Sequence, residues 1–246
     1  MNKLFLGTGT FYKLRMTLKD QRILIDNSGL RKYLDGLELC MANQSEMTEI
    51  EEDKDHINFL QSFRSNIVHA PFKKFFVTKE NYELLFKRII SFAELVKAKH
   101  VVWHLYNVES VELLKKFNYP FTIENTLTGD WNGEKIIDVF KKNNLLNMTL
   151  DTSHAYHFGR DEFNLLTSKL KNHINHIHLS NIIDGVHHLQ FFLEQKNGIA
   201  LTEMLEKFPR KKDFIITIEE NFNNTEHIFL EVKYVYKRLK EWEKME

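Results

Sequence analysis

Six short runs in this chain end in an imidazole or a carboxylate: Asn66-Ile67-Val68-His69, Val101-Val102-Trp103-His104, Phe121-Thr122-Ile123-Glu124, Met148-Thr149-Leu150-Asp151, His176-Ile177-His178 and Ile215-Ile216-Thr217-Ile218-Glu219. These side chains hold divalent cations and move protons at neutral pH. A charged residue at one strand exit merely marks where the chain meets water. Six in succession are a different matter, because parallel strands joined by helices bring all their carboxyl ends to one face, where such folds build active sites.

Side chains alternate across a strand, so the residue two before each terminal group shares its face. Those residues are Ile67, Val102, Thr122, Thr149, His176 and Thr217, mostly small or β-branched, as suits a packed barrel interior beneath a polar mouth. Glu124, Asp151, His178 and Glu219 then converge from the fifth to the eighth strand. Three carboxylates that close repel strongly, and a divalent metal is the simplest compensation. Mixed oxygen and nitrogen ligation suits manganese, zinc, cobalt or magnesium, with zinc or manganese expected and one to three ions accommodated. His69 and His104, at the ends of strands three and four, could hold a second ion with Glu124 as the bridge.

The elements that position these residues are legible in the pattern. Adding the early runs Lys3 to Gly7 and Gly36 to Met41 gives eight strands, the number of a (β/α)8 TIM barrel. Helical spacing appears in Lys79 to Lys97, Gly133 to Lys142 and Thr225 to Lys244, the last closing the outer ring. The acidic stretch Glu46 to Asp55 reads as a solvated helix start. Pro71 and Pro120 flank strands, where the missing N–H is tolerated. With 246 residues and no repeat, linker or low-complexity boundary, the expectation is an α/β fold, one TIM-barrel domain over 1–246.

Lys plus Arg and Asp plus Glu both total 34, so no global basic field advertises nucleic acid or an acidic membrane. Cys40 lies in the apolar run Leu37-Glu38-Leu39-Cys40-Met41 and reads as a buried strand thiol in a reducing compartment. The amino terminus reaches Gly7 too soon for a signal peptide, and no apolar run approaches membrane-spanning length. A soluble cytoplasmic protein is the expectation.

The segment Leu150-Asp151-Thr152-Ser153-His154-Ala155-Tyr156-His157 sets His154 one turn past its strand, beside Asp151. Together with His69-Ala70-Pro71, Glu124-Asn125-Thr126, His176-Ile177-His178-Leu179 and Ile218-Glu219-Glu220-Asn221, it resembles the xylose-isomerase-like barrel superfamily, which includes endonuclease IV and many sugar isomerases and epimerases. The resemblance runs from about Asn66 to Asn221. It implies that Glu124, Asp151, His178 and Glu219 are the shared metal-binding quartet. It implies that His69 and His104 complete a first zinc site of the endonuclease IV kind, and that His154 either ligates a third zinc or contacts a sugar substrate. The chain departs from that enzyme after strand seven, in Asp184-Gly185-Val186-His187-His188. If His188 is the third-site histidine, Val186 falls where an aspartate belongs. The glycine-rich stretch usual in relatives is replaced by Phe191-Phe192-Leu193-Glu194-Gln195-Lys196, the opening Gly-Ala-His motif is missing, and Asp184 stands where some epimerases carry an arginine.

Three functions follow. The leading expectation is metal-dependent phosphodiester hydrolysis on abasic DNA, because seven ligand-type positions are easier to explain with several metals. Loop residues such as Lys73, Lys74, Arg160 or Arg210 would then meet phosphates. The alternative is sugar or sugar-phosphate isomerisation or epimerisation, one metal polarising a carbonyl while Glu124 and Glu219 move protons and His154 orients a hydroxyl. The third is a barrel that binds without catalysis. His56, His100, His173 and His227 read as surface or core histidines, and His176 as core or as an orienting partner of His178. Most phenylalanines read as core, whereas Trp131 could line the mouth.

Overall fold

A computed structural model describes residues 2–73, 75–128, 130–193, 198–210 and 212–245. Lys74, Gly129 and residues 194–196 of the stretch after strand seven lie outside the described residues.

The strands are β1 (Lys3–Gly7), β2 (Gly36–Cys40), β3 (Asn66–His69), β4 (Ala98–His104), β5 (Phe121–Glu124), β6 (Asn147–Asp151), β7 (Ile174–Leu179), β8 (Asn181–Ile183), β9 (Val186–Leu189) and β10 (Ile215–Ile218). Eight of them close into a parallel barrel in the order β1-β10-β7-β6-β5-β4-β3-β2, while β8 and β9 form a separate antiparallel hairpin. The hairpin is the departure from the simple alternation read in the sequence. Asp184 and Gly185 both take positive φ, 50° and 80°, the backbone that a two-residue Asp-Gly hairpin turn requires. The TIM-barrel expectation is met.

The helices are α1 (Leu18–Asn27), α2 (Gln44–Glu52), α3 (Lys54–Gln61), α4 (Tyr82–Leu95), α5 (Gly133–Lys142), α6 (Thr152–His157), α7 (Arg160–Lys169), α8 (Leu201–Leu205) and α9 (Thr225–Lys244). The α5 and α9 bounds match the sequence reading. The α4 helix starts later than expected, because the Asn81 carboxamide accepts from the Thr78 backbone N–H and folds residues 78–81 into a turn. The acidic stretch becomes two helices, since Asp53 closes α2 with its own N–H and caps α3 by accepting from the His56 N–H. No helix among the described residues is long and apolar enough to cross a membrane.

Outward-facing strand residues such as Leu37, Val68, Val101, Trp103 and Ile123 join the apolar faces of the helices in the main core. Inward-facing residues form layers. Phe5, Ile67 and Val102 form an apolar cluster inside the barrel, with Ile215 packed against them. Beside it a polar network links Thr122 to Thr149 at 2.7 Å, Thr149 to His176 at 3.1 Å and His176 to Thr217 at 2.9 Å. Gly36 lets β2 enter this barrel, because a Cβ there would lie 1.7 Å from the Ser65 carbonyl oxygen. Asn66 ties β2 to β3, accepting from the Leu37 N–H and donating to the Leu60 and Val96 carbonyls.

Candidate functional site

The carboxyl ends of the strands deliver the expected residues to one centre. His69, His104, Glu124 and Asp151 close their strands, but β7 runs one residue past His178, and Glu219 follows the end of β10. Glu219 still continues the ladder, its N–H donating to the Leu179 carbonyl at 3.1 Å. Ligand atoms of Glu124, Asp151, His178 and Glu219 lie within 4.8 Å of one another, as do those of His69, His104 and Glu124, and those of Asp151, His154 and His188. All eight residues expected at the metal centre are therefore gathered, in three overlapping sets.

Glu124 is the junction. Its Oε2 lies 2.9 Å from both His69 Nε2 and His104 Nε2, and its Oε1 lies 3.3 Å from His178 Nδ1 and 3.5 Å from His154 Nδ1. Asp151 is fixed by the Asn125 carboxamide, which accepts from the Asp151 N–H and donates to the Asp151 carbonyl. The Asp151 carboxylate in turn caps α6 by accepting from the His154 N–H at 2.7 Å, and so sets His154 one turn beyond the strand. His188 comes from β9 with φ of 57°, and its Nδ1 lies 3.0 Å from the Glu219 carbonyl oxygen.

The donor set fits a divalent cation. His178 Nδ1 and Glu219 Oε2 are 2.7 Å apart, yet these two atoms and Asp151 Oδ2 are buried without an aligned hydrogen bond. Such unpaired buried atoms from one imidazole and two carboxylates, with the Glu124 carboxylate within 4.8 Å of them, are what cation ligation requires. Among the described residues, clusters of buried histidine and carboxylate suited to a divalent metal thus sit at the barrel mouth.

Protonation follows from the same proximity. Burial disfavours the Glu124 carboxylate, but His104 and His178 outweigh it and hold the group well below the usual range. Glu219 is drawn down to about 2, burial opposing and His178 driving. His178 lies well above the ordinary imidazole range against the pull of burial, through Glu38, Glu219 and Glu124. His69 rises to about 8, burial opposing and Glu124 driving, while burial wins at His104 and lowers it. Protons and a cation compete for these lone pairs, so cation affinity must rise with pH.

The mouth opens into a pocket of about 310 Å³. Beyond the charged groups it is walled by Phe72, Tyr106, Leu127, Thr126 and Thr128, with Cys40 at its base. Cys40 is buried, as read from the sequence. Trp131 corrects an expectation, since it packs on the main core and does not line this pocket. The sequence reading also missed Glu38, fully buried on β2, whose Oε1 lies 2.9 Å from His178 Nε2. Alternation could have found it, because Glu38 shares the face of Cys40 once Leu37 and Leu39 face outward.

Other residues fall where the site does not use them. His100 is core as expected, but inside the barrel, its Nε2 3.0 Å from His176 Nδ1. His56 is fully buried beside Phe59, His173 meets the Leu146 carbonyl and His227 abuts Phe192. Val186, at the position of the missing aspartate, is 56% exposed and brings no ligand. His187 turns to His157, with ring nitrogens 2.9 Å apart. Of the cations considered for phosphate contact, Arg160 is paired with Glu203 at 2.7 Å. Arg210 precedes β10, at the end of the barrel opposite the mouth, and donates to the Met245 carbonyl. Lys73 stands beside Phe72 at the rim.

No protein-family model and no curated protein matches the sequence. Solved structures do. A D-tagatose 3-epimerase-like protein superposes with a TM-score of 0.71 at 19% identity, covering 98% of each chain. The AsfvAP:AG structure gives a TM-score of 0.63 at 15% identity over 99% of each chain. The 3-keto-D-glucoside 4-epimerase from E. coli gives 0.58 at 13% identity, covering 97% of this chain and all (100%) of that one. At these identities the likeness establishes the fold: the chain is a closed TIM barrel of the form shared by these structures.

Proposed function

We propose that the protein is a divalent-metal-dependent isomerase or epimerase acting on a small sugar, with residues 1–246 forming one catalytic domain. The observation that carries this reading is the quartet Glu124, Asp151, His178 and Glu219, of which Glu124 and Glu219 line a small pocket with apolar and hydroxyl walls. The full-length likeness to the two epimerase structures supports it over DNA cleavage, and so does the position of Arg210 and the pairing of Arg160.

A zinc or manganese ion held by the quartet supplies a Lewis acid for a sugar carbonyl. Glu124 and Glu219 enter from different strands, β5 and the end of β10, and both carboxylates stay ionised at neutral pH. One can therefore take the proton from the carbon next to the carbonyl and, as the carboxylic acid so formed, return it to the neighbouring atom; delivery to the opposite face needs the other carboxylate first to take a proton from solvent. His154 is placed to orient a hydroxyl, and Phe72, Tyr106 and Leu127 offer the apolar side of a sugar ring its packing surface.

The test is incubation with Mn²⁺, Co²⁺ or Zn²⁺ and a panel of free and phosphorylated aldoses and ketoses in D₂O, followed by NMR. Epimerised or isomerised product with deuterium at the reacting carbon is expected. Nicking of an abasic oligonucleotide without sugar turnover overturns the reading. That second reading, metal-dependent hydrolysis, keeps one observation in its favour: His69 and His104 both reach Glu124 at 2.9 Å, which offers a position for another ion.

A further inference from the structure

Below the metal quartet lies a carboxylate that the proposed reaction does not use. Glu38 has no exposed surface, sits in the middle of β2, and faces the barrel interior. A buried carboxylate costs several kcal/mol unless its partners compensate it, so its surroundings must explain it. Its Oε1 is 2.9 Å from His178 Nε2, and its Oε2 is 3.4 Å from His176 Nε2. The opposite nitrogen of His178, Nδ1, is the one that faces Glu219 and Glu124, at 2.7 and 3.3 Å. The imidazole of His178 is therefore held between a carboxylate below and the cation-binding carboxylates above.

We infer that Glu38 is the positioning residue of the metal centre, accepting the Nε2–H of His178 so that the Nδ1 lone pair is fixed toward the ion. This rests on the ion site proposed above. Neutral imidazole carries one ring proton, and the nitrogen that lacks it is the ligand. A fixed acceptor at Nε2 decides which nitrogen that is, sets the ring plane, and raises the basicity of the other nitrogen.

The layer beneath keeps Glu38 in place. His176 Nδ1 lies 3.0 Å from His100 Nε2 and 3.1 Å from Thr149 Oγ1, while its Nε2 meets Thr217 Oγ1 at 2.9 Å. With the His100 N–H donating upward to Nδ1, His176 keeps its own proton on Nε2, on the side of Glu38 Oε2 and Thr217. Five barrel strands, β2, β4, β6, β7 and β10, thus meet in one buried polar layer that orients a single ligand.

The experiment is Co²⁺ titration of the full chain, followed by its absorption spectrum, for wild type, Glu38→Gln and Glu38→Leu, with Glu124→Gln as the ligand-loss control. Thermal melts of the ion-free proteins check folding. Glu38→Gln keeps an acceptor without the charge and should bind Co²⁺ about 10-fold more weakly; Glu38→Leu should lose about 10–100-fold. In ¹⁵N-histidine spectra of Zn²⁺-loaded protein, His178 should carry its proton on Nε2 in wild type and Glu38→Gln, and lose that single tautomer in Glu38→Leu. A purely structural role would lower the melting temperature and leave the tautomer unchanged. Wild-type affinity and an unchanged His178 spectrum in folded Glu38→Leu overturn the inference while the ion site stands. Absence of Co²⁺ binding by wild type overturns the ion site itself, and the inference with it.

Discussion

Inside the barrel, two residues beneath His69 and His104 on their strands, Ile67 and Val102 close on Phe5 with Ile215 beside them. At the mouth, strands with the same alternation place Glu124, Asp151 and His178 within ligand distance, joined by Glu219 just past β10. Both regions use inward-facing positions. They differ in what desolvation does. At the apolar cluster it removes apolar surface from water and stabilises the fold; at the mouth it strips carboxylates of hydration, which costs stability and leaves strong, oriented fields for a cation.

That contrast can be broken most forcefully at the mouth. Glu124→Gln or Glu219→Gln should lower turnover by about 10²–10⁴-fold and reduce bound metal, read by elemental mass spectrometry on protein purified without chelator, while circular dichroism stays that of the folded barrel. At the apolar cluster the effects should exchange places. Phe5→Ala should cost about 3–5 kcal/mol in urea unfolding, with cation affinity of the folded fraction unchanged; loss of cation binding there would mean that the two regions are mechanically coupled.

His69→Ala sharpens the comparison within the mouth. If one ion at the quartet does the chemistry, sugar turnover should survive this change, with metal content still at one ion per chain. Collapse of activity, together with loss of one of two bound ions, would return the hydrolase reading to the front.

The smallest effect lies behind the mouth. Glu231 is raised to about 7 by burial, facing Glu220, which burial also raises, and its carboxylate accepts the Phe191 and Phe192 N–H groups. A carboxyl whose folded pKa lies above its unfolded value contributes stability that is fully present below the ordinary carboxyl range. That contribution fades as pH rises through about 7. Glu231→Gln should therefore flatten the fall in melting temperature between about pH 5 and 8. An unchanged pH profile would assign that fall to the mouth histidines instead.

Much of this molecule was legible from residue order. Alternation and strand-end chemistry located six of the eight barrel strands to within one residue at each end, with β4 and β7 starting earlier than read, and they gathered His69, His104, Glu124, Asp151, His178 and Glu219 on one face, because period-two geometry is local and parallel topology leaves only one end for an active site. The hairpin that delivers His188 was not legible as structure, although its Asp184-Gly185 turn was printed in the chain. Glu38 was hidden in an apolar run, since only closure of the barrel brings β2 across to β7 and makes a mid-strand carboxylate the neighbour of His178. Trp131 shows the reverse, a residue placed near the mouth by order but drawn into the core by packing. The sequence by itself determined the fold and the donor types at the strand ends. The tertiary structure decided which donors come within reach of one another and which carboxylate faces His178, because those relations are distances between strands far apart in the chain.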